Sequence, residues 1–105
     1  MFLDVDLTGA EPAVRLQEAN ALDSLKVVVR GGELGRPRLD GALTGVGRLE
    51  PGGDVLLEID ALKRLSGSRG TDPDWLRAFD GMVEYARSKG WVGAGETLQA
   101  HCEWV

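Results

Sequence analysis

Strict two-residue alternation at both ends of the chain is the strongest constraint on its fold. Met1, Leu3, Val5 and Leu7 fall on one side of an extended chain, and Asp4, Asp6 and Thr8 fall on the other. The pattern returns near residue 98, where Leu98, Ala100, Cys102 and Trp104 alternate with Thr97, Gln99, His101 and Glu103. Successive side chains of a strand point to opposite faces, so such segments have one face to bury and one to leave wet. Leu25, Val27 and Val29 form a third segment of this kind, rich in β-branched residues. Val55, Leu57 and Ile59, interleaved with Glu58 and Asp60, form a fourth.

A sheet with one apolar face needs a cover, and the cover is written between residues 72 and 91. Asp72 is an N-cap, Pro73 suits the first helical position, and Asp74 complements the helix dipole. Trp75, Leu76, Phe79, Met82, Val83 and Ala86 recur on one face of a 3.6-residue period. Arg87 and Lys89 suit the last turn, Gly90 the left-handed position after it, and Trp91 can fold back as in a Schellman cap.

The remaining segments carry weaker signals. Residues 10–23 read as irregular, with a helical turn after Pro12 or a short strand through Val14 and Leu16 as the options. Pro37 can open a helix through Leu39, Ala42, Leu43 and Val46, but Gly41, Gly45 and Gly47 each weaken it by about 1 kcal/mol relative to alanine. Residues 46–50 pair with the fourth strand across the turn Glu50-Pro51-Gly52-Gly53-Asp54, and Asp60 caps a short helix, Ala61–Ser66, closed by Gly67. Residues 31–38, 66–71 and 93–95 read as loops, the second of them mobile by composition.

These elements predict one α+β domain over residues 1–105. Short connections and one long helix imply a mainly antiparallel sheet of about four to five strands. The long helix of the C-terminal half and one or two short helices pack on one face.

Composition narrows the function classes. Seventeen acidic residues against 12 basic ones give a net charge of −5, the wrong sign for general nucleic-acid binding or for an anionic membrane surface. The acidic residues near the start stand where a signal peptide would be basic, and no apolar run approaches the ~20 residues of a membrane span, so a cytoplasmic protein is expected. One cysteine allows neither an intrachain disulfide nor a cysteine zinc cage. Cys102 and His101 are adjacent in sequence but point to opposite faces of a strand, so Cys102 reads as a core residue and not as a nucleophile.

Three groups of residues are candidate sites. Asp4, Asp6, His101 and Glu103 would form one polar cluster if the two terminal strands were neighbours, with the chemistry of a metal site or an acid–base pair. Arg30, Arg36 and Arg38 flank a glycine-containing loop ahead of a helix, as an anion site would. Trp91 and Trp104 are candidate interface residues. Each has a plain counterpart: a solvated strand face, a surface loop with solvated arginines, and tryptophans packed at the edge of a core.

No phosphate loop, dinucleotide fingerprint, nucleophile elbow or paired metal-ligand motif is present. The expectation is therefore a non-enzymatic association module with no cofactor, a homodimer or a subunit of a complex, binding neither nucleic acid nor membrane. The alternative is a small-molecule, anion or metal-binding protein or small enzyme, using the polar face of the terminal strands or the loop 30–38.

Overall fold

The computed structural model describes residues 1–31, 35–93 and 96–105, without the Arg36 side chain. The alternating N-terminal segment forms β1 (Phe2–Asp6), in which Leu3 and Val5 are fully buried. The chain turns back into β2 (Ala13–Gln17), crosses to β3 (Lys26–Arg30) and enters α1 (Arg36–Ala42). A hairpin of β4 (Gly47–Leu49) and β5 (Val55–Glu58) follows, then α2 (Ile59–Leu65), a 3-10 turn (Gly67–Thr71) and α3 (Pro73–Ser88). The short β6 (Val92–Gly93) and the long β7 (Thr97–Trp104) complete the sheet.

The sheet has seven strands in the order β2-β1-β3-β7-β5-β4, with β6 also on β7, and it curls into a half-barrel. This corrects the expected four-to-five-stranded, mainly antiparallel arrangement, because β1 pairs parallel with β3, and β3 parallel with β7. The reason lies in residues 18–25. β2 ends at Gln17 opposite Phe2, and β3 starts at Lys26 opposite the same Phe2 from the other side. The connection therefore passes over the start of β1 and lets β3 run parallel to it without a crossover helix. That crossing is pinned. The Met1 amino group donates to the Ala21 carbonyl at 2.9 Å, and the buried Trp75 indole donates to the Ala19 carbonyl at 2.9 Å.

Three local expectations also shift. Residues 10–23 contain a strand, so Val14 and Leu16 follow the extended option. Ile59 is the first residue of α2 and not the last of a strand, and Asp60 stands in the first turn, where its charge favours the helix dipole, instead of capping it. Residues 67–71 form a 3-10 turn where composition suggested a mobile loop.

The long helix matches its sequence closely. The Asp72 carboxylate accepts from the Asp74 amide at 2.9 Å, and Pro73 opens the first turn. Phe79 is fully buried and stacks on Trp75 with ring centroids 4.9 Å apart. One core joins Leu39 of α1 and Leu43 at its C-cap, Leu62 of α2 and Phe79 and Val83 of α3 to Leu3, Val5, Val27, Val29, Leu98 and Ala100 of the sheet. Cys102 lies in that core. Gly47 is required where β4 meets β5, because a Cβ there would stand 2.1 Å from the Leu56 carbonyl oxygen. No helix is long and apolar enough to cross a membrane among the described residues.

Candidate functional site

The outer face of β1, β3 and β7 carries the residues that alternation singled out, but β3 stands between β1 and β7. Lys26 occupies the row between Phe2 and His101, and Val28 the row between Asp4 and Glu103. Two strand spacings, about 10 Å, therefore separate Asp4 and Asp6 from His101 and Glu103. The carboxylates have closer company. Arg30 donates to Asp4 through Nε at 3.2 Å and Nη2 at 3.0 Å, and its Nη2 lies 3.6 Å from Asp6. Lys26 pairs with Glu103 at 3.3 Å. Among the described residues no group of three or more His, Cys, Asp or Glu side chains could hold a metal ion.

Electrostatics on this face follow the pairing. The Asp6 carboxyl is held below its ordinary value of 3.8, first by the Thr8 hydroxyl and amide that donate to it and then by Arg30. Arg30 holds its proton more firmly than a free guanidinium because of Asp4, and Arg87 does so because of Glu96.

Arg30 and Arg38 do not converge on one site. Arg30 faces Asp4 and Asp6. Arg38 donates to the carbonyls of Leu7 at 3.0 Å, Gly9 at 2.5 Å and Ala10 at 3.4 Å, clasping the turn after β1. Residues 32–34 of that loop and the Arg36 side chain lie outside the described residues.

A different feature gathers Trp91 and His101. β7 shares one edge between two strands that start close together and run in opposite directions. β3 starts with Lys26 opposite His101 and runs on toward Trp104, whereas β6 starts with Val92 opposite Leu98 and runs back toward Thr97. A wedge opens between their starts, and it forms a groove of about 670 Å³ between β7, α3 and the crossing segment 22–25.

Its apolar wall is Leu22, Leu25, Met82, Tyr85, Trp91 and Leu98; its polar rim is Asp23, Ser24, Asp54, Gln99 and His101.

The helix end places the aromatic pair. Gly90 adopts φ +78°, its amide donates to Arg87 at 3.1 Å, and the Trp91 amide donates to Ala86 at 2.9 Å, the two bonds of a Schellman motif. The Trp91 carbonyl accepts from the Gln99 amide at 2.9 Å, which fixes the residue to β7. Trp91 meets Tyr85 edge-on at 6.1 Å between centroids, and the two rings are 46% and 58% exposed. On the opposite rim, the Gln99 side-chain amide donates to the Asp54 carboxylate at 2.7 Å.

Trp104 is elsewhere. It lies five residues beyond Gln99 along β7, about 17 Å at strand rise, so the two candidate interface tryptophans do not share a patch. Tyr85, Asp54 and Gln99 escaped the sequence reading. Tyr85 flanks the apolar stripe one residue before Ala86, and a lone tyrosine at that border is the one signal that pointed to the groove. Comparison with protein-family models, with curated proteins and with solved structures finds no match to this chain.

Proposed function

We propose that this chain is a binding module that takes a small organic ligand into the groove between β7, α3 and residues 22–25. The observation that supports the reading is the convergence of two exposed aromatic rings with Met82, Leu22 and Leu25 on a concavity of about 670 Å³. Ligand sites are mostly apolar concavities of ~300–1,000 Å³ with a few placed polar groups, and this groove has that size and make-up. Large apolar side chains clustered at a concave surface are a better marker of binding than single exposed ones. The Asp54 carboxylate, engaged by the Gln99 amide, is held as a fixed acceptor on the rim.

Screening a set of small aromatic and aliphatic fragments by amide and indole NMR shifts tests this. Binders are expected to move Tyr85, Leu98 and the Trp91 indole, while the Trp75 indole, buried and bonded to Ala19, stays still. If no fragment at millimolar concentration moves the groove signals, the reading is overturned.

A second reading, self-association, is favoured by the exposure of Trp104 (42%) and Val105 (70%) at the far end of the sheet. Light scattering on a sizing column would return twice the 11.3 kDa chain mass for a homodimer. A strict monomer at high protein concentration would overturn it.

A further inference from the structure

Resting on the groove as a ligand site, we infer that its ligand is a small organic amine, with an apolar or aromatic body and a cationic end. The polar rim is rich in acceptors. It presents the Asp23 and Asp54 carboxylates and the Gln99 side-chain carbonyl, with Ser24 and His101 beside them, and among the described residues no Lys or Arg side chain lines the groove. Elsewhere on the same sheet the carboxylates are neutralised within the chain, Asp4 by Arg30 and Glu103 by Lys26. Among the described residues neither Asp23 nor Asp54 has a salt bridge. Asp54 takes one hydrogen bond from the Gln99 amide, which orients the carboxylate and leaves its charge uncompensated. A ligand that supplies N–H donors and a positive charge completes this rim, whereas an anionic ligand would face two carboxylates.

The aromatic wall favours the same class. The faces of Tyr and Trp rings attract cations within about 6 Å of the ring centroid. Here the chain's own Lys89 ammonium stands 5.6 Å from the Tyr85 centroid, which shows that this ring accepts a cation and means that a ligand ammonium would share the ring with Lys89 or displace it. An amine entering the wedge finds the Trp91 and Tyr85 rings, Met82 and Leu22 for its body, and Asp54 with Gln99 for its ammonium. The concavity has the size of a small-molecule site, and it commits the proposal to a free amine; a lysine or arginine side chain of a protein would use the acceptors and leave the wedge beyond them unfilled.

Three probes of nearly equal shape separate the possibilities: phenethylamine, 2-phenylethanol and 3-phenylpropanoate, titrated at constant pH and ionic strength with NMR shifts of the groove as readout. Phenethylamine is expected to bind about tenfold more tightly than the alcohol, the size of a hydrogen bond to a charged group, and the carboxylate most weakly. Asp54→Asn is expected to cost phenethylamine about tenfold and to leave the alcohol unchanged. Asp23→Asn gives a smaller loss in the same direction and serves if the first variant loses its dispersed spectrum.

Equal binding of amine and alcohol, or tightest binding of the carboxylate, overturns the amine assignment and leaves the groove as a ligand site. Binding of the amine that neither Asp54→Asn nor Asp23→Asn weakens overturns it as well. If none of the three probes moves Tyr85, Leu98 or the Trp91 indole, the amine assignment falls, and the groove reading falls with it only when the wider fragment set is silent too.

Discussion

Two polar regions of the same sheet handle charge in opposite ways. On the outer face of β1, β3 and β7, Asp4 and Asp6 share Arg30 and Glu103 faces Lys26, so each carboxylate is paired with a cation on a neighbouring strand. In the groove, Asp23 and Asp54 stand with His101 beside two exposed aromatic rings, and among the described residues no Lys or Arg side chain is in the lining. The outer face is what alternation dictates: one wet side of a sheet, made stable by cross-strand opposite-charge pairs. The groove follows from a break in regularity, where β3 and β6 leave one edge of β7 in opposite directions. The outer face pairs its charges within the chain, whereas the wedge leaves aromatics and carboxylates uncovered.

The comparison requires that both regions rest on one core. Phe79 tests this with the largest expected effect. It is fully buried and stacked on Trp75, so Phe79→Ala should cost about 3–5 kcal/mol, a large share of the ~5–15 kcal/mol of an ordinary domain. Urea unfolding followed by tryptophan fluorescence and by far-ultraviolet circular dichroism should move to lower midpoint together. Two separated transitions would show that the groove and the outer face stand on different cooperative units.

Gly90→Ala separates the regions next. An alanine at φ +78° costs about 1–2 kcal/mol and loosens the turn that delivers Trp91 to β7. Phenethylamine binding should fall with stability, while the NMR shifts of Asp4 and Arg30 stay at their parent values. Shifts spreading onto the outer face would break the distinction. Trp91→Ala sharpens it, with a stability loss below about 1 kcal/mol expected for a half-exposed ring and a loss of binding above about tenfold. A variant that binds the probe normally would remove Trp91 from the site.

What could be read from the sequence follows the same division. Alternation in β1, β3 and β7 and the caps of α3 were legible because each depends on residues adjacent in sequence: Leu3 and Val5 inward, Asp72 and Pro73 at the helix start, Gly90 and Trp91 at its end. Strand direction was not legible. Residues 18–25 have no periodicity, and their path over the start of β1 is set by Ala19 and Ala21 meeting Trp75 and Met1, contacts 56 and 20 residues apart. The expected cluster of Asp4, Asp6, His101 and Glu103 rested on the faces being right, and they are, but the placement of β3 between β1 and β7 separates its halves. The groove draws Asp54, Tyr85 and Gln99 from three elements that no local pattern connects. His101 and Trp91 were marked for other roles, His101 as part of a polar cluster and Trp91 as part of an interface, and they meet in the groove because β3 and β6 share one edge of β7.

The smallest effects belong to the outer face, and their sign is fixed. Asp6 titrates below its ordinary value of 3.8 in the folded chain, chiefly because the Thr8 hydroxyl and amide donate to it. A carboxyl with a depressed folded pKa contributes stability that is fully present above its unfolded value and is lost as the pH falls through the folded one. The melting temperatures of the parent and Asp6→Asn should therefore differ by a constant small amount at neutral pH, and the gap should close under acid conditions below pH 3.8. Salt should narrow only the part due to Arg30, because exposed charges are screened over about 10 Å at 0.1 M while the Thr8 hydrogen bonds are not. Phenethylamine affinity measured at neutral pH should be the same for parent and variant, since Asp6 is two strands from β7. A change in that affinity on removing Asp6 would mean that the neutralised face and the open groove share an electrostatic field, and the contrast between them would have to be redrawn as one continuous site.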